Sequence, residues 1–381
     1  VTPSLVSSPP SLSPTCRHAL LSATRLYVPD ASMRSALIVS TARTGLAKSF
    51  RGGFNNTHGI VLAGHAIKHA VAKAGVDPAM VEDVFMGCGM PEGETGMNVA
   101  RNSLLWAGLP VTTSGTTVNR FCSSGLQAIA FAAHSIIVDQ VPCAIGGGVD
   151  SITLVQPKAF NPKAGVVEKS LFKHPVYKAL WMPMIDTADL VATKYGISRE
   201  RQDAYALMSQ QRTFAAQQAG KYNDEIVPLE TEMAVTNKET KEVTYQKYTV
   251  VKDECNRGDT TIESLQKLKV LNGEKDPNAT VTAGNASQLS DGASACLLME
   301  EKEVERLGLT PLGRFEGFAV GGCSPEEMGI GPSIAVPRLL KRHNLTVNDI
   351  DLWEINEAFA VVSLFNMDFL KIDPEKVNVN G

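Results

Sequence analysis

The sequence contains no Cys-x-x-Cys pair, and its seven cysteines, at positions 16, 88, 122, 143, 255, 296 and 323, are odd in number and far apart. That spacing offers neither a zinc site nor a disulfide framework, and it fits a reducing compartment. No apolar run reaches the roughly twenty residues a bilayer requires, so no membrane span is expected. Charge of one sign is also lacking. The net value of −4 is spread evenly, giving no reason to expect nucleic acid or a membrane surface as partner. Aromatic residues make up only 6 %, against thirty-one glycines, a balance that suits an α/β protein with tight turns and close backbone approaches. A chain of 381 residues exceeds one small core, so two or three domains or layers are expected.

What is present begins with a biased segment. Residues 1–32 are rich in serine and proline, carry Arg17 and Arg25, and have Asp30 as their only acid. Such composition suits a mitochondrial transit peptide, with a basic amphipathic helix over 15–28. The alternative is upstream sequence that is never translated, because Met33 stands just before the first strand. From Ser35 onward, strands at 36–40, 84–87 and 143–146 alternate with helices at 57–74 and 98–107, the pattern of a layered α/β domain. His65 and His69 lie four apart on a helix but have no third ligand type beside them, so no metal is expected. Gly87-Cys88-Gly89 and Gly146-Gly147-Gly148 lack the spacing of a nucleotide fingerprint and are read as strand-end turns.

The central stretch is Thr116-Thr117-Val118-Asn119-Arg120-Phe121-Cys122-Ser123-Ser124-Gly125. Its β-branched start predicts a strand, and the small and apolar residues over 126–137 predict a helix buried nearly all round. Cys122 then stands at the junction, beside the free N–H groups and positive end of that helix. Those conditions lower a thiol's pKa and expose a thiolate. The other reading is a small buried hydrophobe.

Between 154 and 280 the composition changes. Pro157, Pro162, Pro175 and Pro183 interrupt it, a helix spans 199–219, and 230–252 alternates like an exposed hairpin, together reading as an inserted lid or cofactor cradle. The opening pattern then returns. A helix over 59–76 leading to a strand at 84–86 is matched by a helix over 329–345 leading to a strand at 350–353, which predicts two halves of similar topology. Two more segments stand out: Gly284-Asn285-Ala286-Ser287, running on to Asp291-Gly292-Ala293, and Asn356-Glu357-Ala358-Phe359-Ala360. Taken alone, the first reads as a loop entering a strand and the second as a helix start with Asn356 as N-cap.

Together, the Cys122 motif, the Ser287 segment and the Asn356 segment resemble the thiolase family in order and spacing. Ala42-Arg43-Thr44-Gly45, 203–211, Ile226-Val227-Pro228 and Met328-Gly329 with Gly331-Pro332 match as well, so the resemblance covers 35–381. It implies a five-layered αβαβα sandwich of two similar halves with an inserted loop domain. On that basis 33–153 is an N-terminal half carrying the nucleophile and 154–280 a CoA-binding insertion. Residues 281–381 complete that half and begin the second. The implied activity is ping-pong acyl transfer between coenzyme A thioesters. A cysteine thiolate cleaves a 3-ketoacyl-CoA, releases acetyl-CoA, and passes the shortened acyl group to CoA; run backwards, two acetyl-CoA molecules condense. No cofactor is permanently bound, CoA and acyl-CoA being substrates.

By motif, Cys122 would be the acylated nucleophile, its backbone N–H helping an oxyanion site, and Asn356 would hold the water of a second oxyanion site. Ser287 would meet the pantetheine arm, with Phe359 and Met184 lining its tunnel. The partners implied are acyl-CoA, CoA and a further copy of the chain, as homodimer or homotetramer. The family continues past Val379-Asn380-Gly381 into a Gly-His-Pro motif and later a Cys-x-Gly motif, which supply acid/base groups; neither occurs here. The expectation is therefore a C-terminally incomplete thiolase with little turnover. Pro183, where short-chain members often have histidine before the methionine, favours a degradative 3-ketoacyl-CoA thiolase of β-oxidation over an acetoacetyl-CoA enzyme. A ketosynthase is disfavoured by the Asn-Glu-Ala-Phe-Ala segment. A non-catalytic CoA-binding or assembly subunit is the reading from another class. A mitochondrial location is expected, with cytoplasm or peroxisome as alternatives.

Overall fold

The computed structural model describes residues 34–158, 179–180 and 182–381, so the transit-peptide reading of 1–32 and the breaks at Pro162 and Pro175 lie outside the described residues. The first part runs β1 (Ala36–Arg43), β2 (Ala47–Lys48), α1 (Gly59–Ala74), β3 (Asp83–Gly87), α2 (Val99–Trp106), β4 (Ser114–Val118), α3 (Ser124–Ile137), β5 (Cys143–Asp150) and α4 (Ile152–Val155). The middle holds α5 (Met184–Tyr195), α6 (Arg199–Gln218), the hairpin β6 (Leu229–Thr236) and β7 (Val243–Val250), and α7 (Ile262–Gln266). The last part adds β8 (Ser290–Glu300), α8 (Glu301–Leu307), β9 (Gly313–Arg314), α9 (Gly331–Arg342) and α10 (Ala360–Leu370).

One mixed sheet organises the first part, in the order β4-β3-β5-β8-β1-β9, with β2 alongside β8. β3 runs parallel to β4 and β5, while β8 runs antiparallel to β5 and β1. Both faces of these strands are apolar, which is why helices cover both. Leu37, Val39, Ile145, Leu297 and Met299 join the core under α1. Their sequence neighbours Ala36, Ala144, Cys296 and Leu298 point the other way, to α3. Each fully buried Leu or Ile contributes about 1.5–3 kcal/mol relative to exposure. α1 is closed at its end by Gly75, whose φ of 67° is the left-handed cap that glycine accepts at little strain.

Several boundaries differ from the reading above. β5 runs on through the glycine triplet to Asp150, so Gly146–Gly148 lie within a strand and are not a turn. The helix α3 is buried along most of its length, but Leu126 and Phe131 reach the surface. The second core packs α10 against α5 and α6, with Val191, Tyr205, Leu364 and Phe365 buried together. The strand expected at 350–353 forms no ladder: Trp353 makes an isolated parallel bridge to Val377. A strand requires a neighbour along several rungs, and among the described residues only 376–378 runs beside it. Nor is Asn356 an N-cap. α10 starts at Ala360, because the preceding residues are held extended by a bridge between Phe359 and Ala286.

Candidate active site

Cys122 lies in a single 3₁₀ turn, Phe121–Ser123, between β4 and α3. Phe121 has φ +47°, a left-handed conformation that costs a bulky residue on the order of 1–3 kcal/mol. Local polar groups hold it there. Asn119 Oδ1 accepts the Phe121 N–H at 2.8 Å, and the Ser124 hydroxyl donates to the Phe121 carbonyl at 2.6 Å while accepting the Arg120 N–H at 2.8 Å. The helix behind them rests on bare backbone: a β-carbon on Gly87 would stand 2.2 Å from the Ser124 carbonyl carbon, and one on Gly146 would stand 2.4 Å from Ile129 Cα. Glycine in the strands thus sets how deeply α3 sits, and with it the height of the sulfur.

The Cys122 side chain reaches solvent. Its thiol is nevertheless pushed above the ordinary range, because the protein crowds the sulfur and the Asp150 carboxylate opposes a second negative charge. This corrects the expectation of a lowered pKa. The residue's own N–H favours the thiolate, but desolvation and Asp150 outweigh it.

The other two motifs meet each other. Ser287 N–H donates to the Ala358 carbonyl at 3.0 Å, and Ala360 N–H donates to Asn285 O at 2.9 Å. Asn285 is buried and fixes its own loop, accepting Thr282 N–H at 2.8 Å and donating to Thr280 O at 3.1 Å and Asp203 Oδ1 at 3.2 Å. Arg199 holds that Asp203 at 2.8 Å. On the far side, Glu357 accepts hydrogen bonds from Tyr205 at 2.8 Å, Ser209 at 2.6 Å and Asn378 at 2.9 Å. Asn378 also takes the Ile355 N–H at 2.8 Å, so the residues flanking Asn356 are pinned on both sides. Ser287 and Asn356 line one cavity of about 490 Å³, together with Arg43, Tyr222, Asp253 and Cys255. Arg43 closes part of it, bound to Glu225 at 2.7 Å and to both oxygens of Asp253 at 2.7 and 2.9 Å.

Cys122 is not among the residues lining that cavity, nor is Met184, which starts α5 on the surface. Phe359 is 7 % exposed and belongs to the second core. The geometry therefore brings Ser287 and Asn356 to one cavity, with Phe359 in the core directly behind it through its bridge to Ala286, while Cys122 and Met184 are not part of its lining. His65 and His69 have ring centroids 4.4 Å apart, but among the described residues no cluster of metal-ligating side chains forms. The reading of single motifs assigned no role to Asp150 or Glu357. The available signals were an acid at the end of a glycine-rich buried strand and an acid next to an extended asparagine.

Comparison with known proteins gives the same picture at family level. Residues 36–302 match the model of the thiolase N-terminal domain and 309–381 that of the thiolase C-terminal domain. The chain is 43 % identical over 351 residues to a 3-ketoacyl-CoA thiolase of Bacillus subtilis, covering 92 % of this chain and 87 % of that one. Among solved structures it resembles human mitochondrial 3-ketoacyl-CoA thiolase, at 37 % identity and a TM-score of 0.78, covering 92 % of this chain and 87 % of the other. It also resembles the dimeric peroxisomal thiolase of Saccharomyces cerevisiae, at 32 % identity and a TM-score of 0.80, covering 93 % and 86 %. With its mixed sheet, flanking helices and both domain signatures, the chain belongs to the thiolase family of acyltransferases.

Proposed function

We propose that this chain is a 3-ketoacyl-CoA thiolase working in the degradative direction, as in β-oxidation, with Cys122 as the group that is acylated. The observation that carries the reading is the sulfur on an exposed, left-handed turn at the start of a buried helix. In the first half-reaction the Cys122 thiolate attacks the 3-keto carbon, the bond between C2 and C3 breaks, and acetyl-CoA leaves as its enolate to be protonated. In the second, the thiolate of CoA attacks the acyl-cysteine and Cys122 departs as thiolate. A thiolate suits both steps, since it is a strong nucleophile and its thioester stays reactive. Asn356 is proposed to hold a water against the enolate oxygen, Ser287 to meet the pantetheine arm, and Met184 and Phe359 to border its path. The composition of residues 1–32 supports a mitochondrial site of action.

A second copy of the chain is the proposed partner. β4 is an edge of the sheet, and Val111, Phe121 and Leu126 beside it are 77, 72 and 62 % exposed. An open edge with apolar neighbours favours pairing. Sedimentation equilibrium at micromolar concentration should give a dimer or larger species. A monomer would contradict this part of the reading.

A further inference from the structure

Cys122 and Asp150 come from the ends of different strands, yet a single turn lies between them. The Asp150 carboxylate accepts the Gly89 N–H at 3.1 and 3.2 Å and the Met90 N–H at 3.2 Å, and the Cys88 thiol donates to it at 3.6 Å. These donors make up the turn that follows β3. A β-carbon on Gly89 would stand 3.3 Å from Asp150 Oδ2 and 3.7 Å from the Phe121 carbonyl carbon, so the backbone there is packed between carboxylate and nucleophile turn. We propose that Asp150 is the positioning residue of Cys122: by fixing the Gly89–Met90 turn it locks the backbone against which Phe121–Ser123 rests. This inference rests on the reading of Cys122 as the nucleophile.

The groups around the pair give the arrangement its sense. Cys88 and Glu92 face Asp150 from the turn after β3, and Cys122 faces it from the turn before α3. Arg120, two residues before the cysteine, directs its Nε to Gln127 Oε1 at 2.9 Å. Burial and Asp150 push the Cys88 thiol up to about 12, so it stays protonated and donates to the carboxylate. Burial raises Asp150 itself, while its two backbone donors favour the ionised form. With that charge beside it, Cys122 rests as a thiol near neutral pH and attacks only once its proton is drawn away. A resting thiol is also less open to alkylation and oxidation than a thiolate.

The test is the pH profile of iodoacetamide labelling at Cys122 in the full chain, read by mass spectrometry of its peptide. In the unsubstituted chain the midpoint should lie above the ordinary value of about 8.5. Asp150→Asn, nearly isosteric, should lower it by at least about half a pH unit, which is roughly threefold faster labelling at pH 7. Asp150→Glu, keeping the charge, should stay close to the unsubstituted chain. An unchanged midpoint in folded D150N overturns the proposal. Should D150N lack a thermal transition, a midpoint at or below about 8.5 in the unsubstituted chain overturns it equally. Acetyl transfer to Cys122 is a separate readout, so failure of the nucleophile reading and failure of the Asp150 proposal give different results.

Discussion

Gly87→Ala should lower the stability of this chain by roughly 3 kcal/mol, at the upper end of what overpacking does to a well-filled core. The reason is geometric. The added methyl would stand 2.2 Å from the Ser124 carbonyl carbon and 2.4 Å from Gly125 N, both backbone atoms that cannot swing aside like the end of a side chain. Relief requires α3 to lift from the sheet, which opens the core that Ala132, Ala133 and Ile136 form with Ala144 and Leu298. It also displaces the turn bearing Cys122, so labelling of that residue should change together with the melt. Gly313→Ala is the control. Nothing lies within 4 Å of that position, and such surface changes usually stay within about 0.5 kcal/mol. Denaturant titration of both variants decides it, and a Gly87→Ala loss as small as the control's would mean α3 does not rest on the sheet as described.

Cys122→Ser should abolish the acyl adduct while leaving the fold intact. The residue is exposed and belongs to none of the hydrophobic cores, so replacing sulfur by oxygen should move stability by no more than about 0.5 kcal/mol. The chemistry is another matter. A serine hydroxyl is a weak nucleophile unless a base removes its proton, and the charged neighbour it would have is the Asp150 carboxylate, which opposes an alkoxide as it opposes a thiolate. No acetyl should then be found at residue 122 after incubation with acetyl-CoA, even at pH 9. Retained acetylation in the serine variant would mean the label lies elsewhere.

Much of the framework was legible in the residues. The strands expected at 36–40, 84–87 and 143–146 fall within β1, β3 and β5, and the predicted positions of α1, α2 and α6 fall within a residue or two of those observed. Legibility failed where the deciding contact is distant in the chain. The strand–helix junction at Cys122 can be read locally, but the burial that keeps its proton on, and the carboxylate that adds to it, come from distant parts of the chain, the latter from the end of β5. Residues 350–353 have the composition of a strand, yet composition cannot supply a partner, and beyond Trp353 no bridge forms there. Likewise Asn356 has the chemistry of a helix cap, and it is the pairing of Phe359 with Ala286 that delays the helix to Ala360. The glycines of β5 looked like turn residues because the need for close approach by Ile129 appears only in three dimensions.

The most direct measurement is peptide mapping by mass spectrometry after incubating the 381-residue chain with acetyl-CoA at pH 9, where thiolate becomes available without a protein base. Acetyl on Cys122, with Cys255 and Cys323 left largely unmodified although both are partly accessible, is the expected result. Acetyl spread evenly over those cysteines, or absent from Cys122, would contradict the assignment of this sulfur as the acyl carrier.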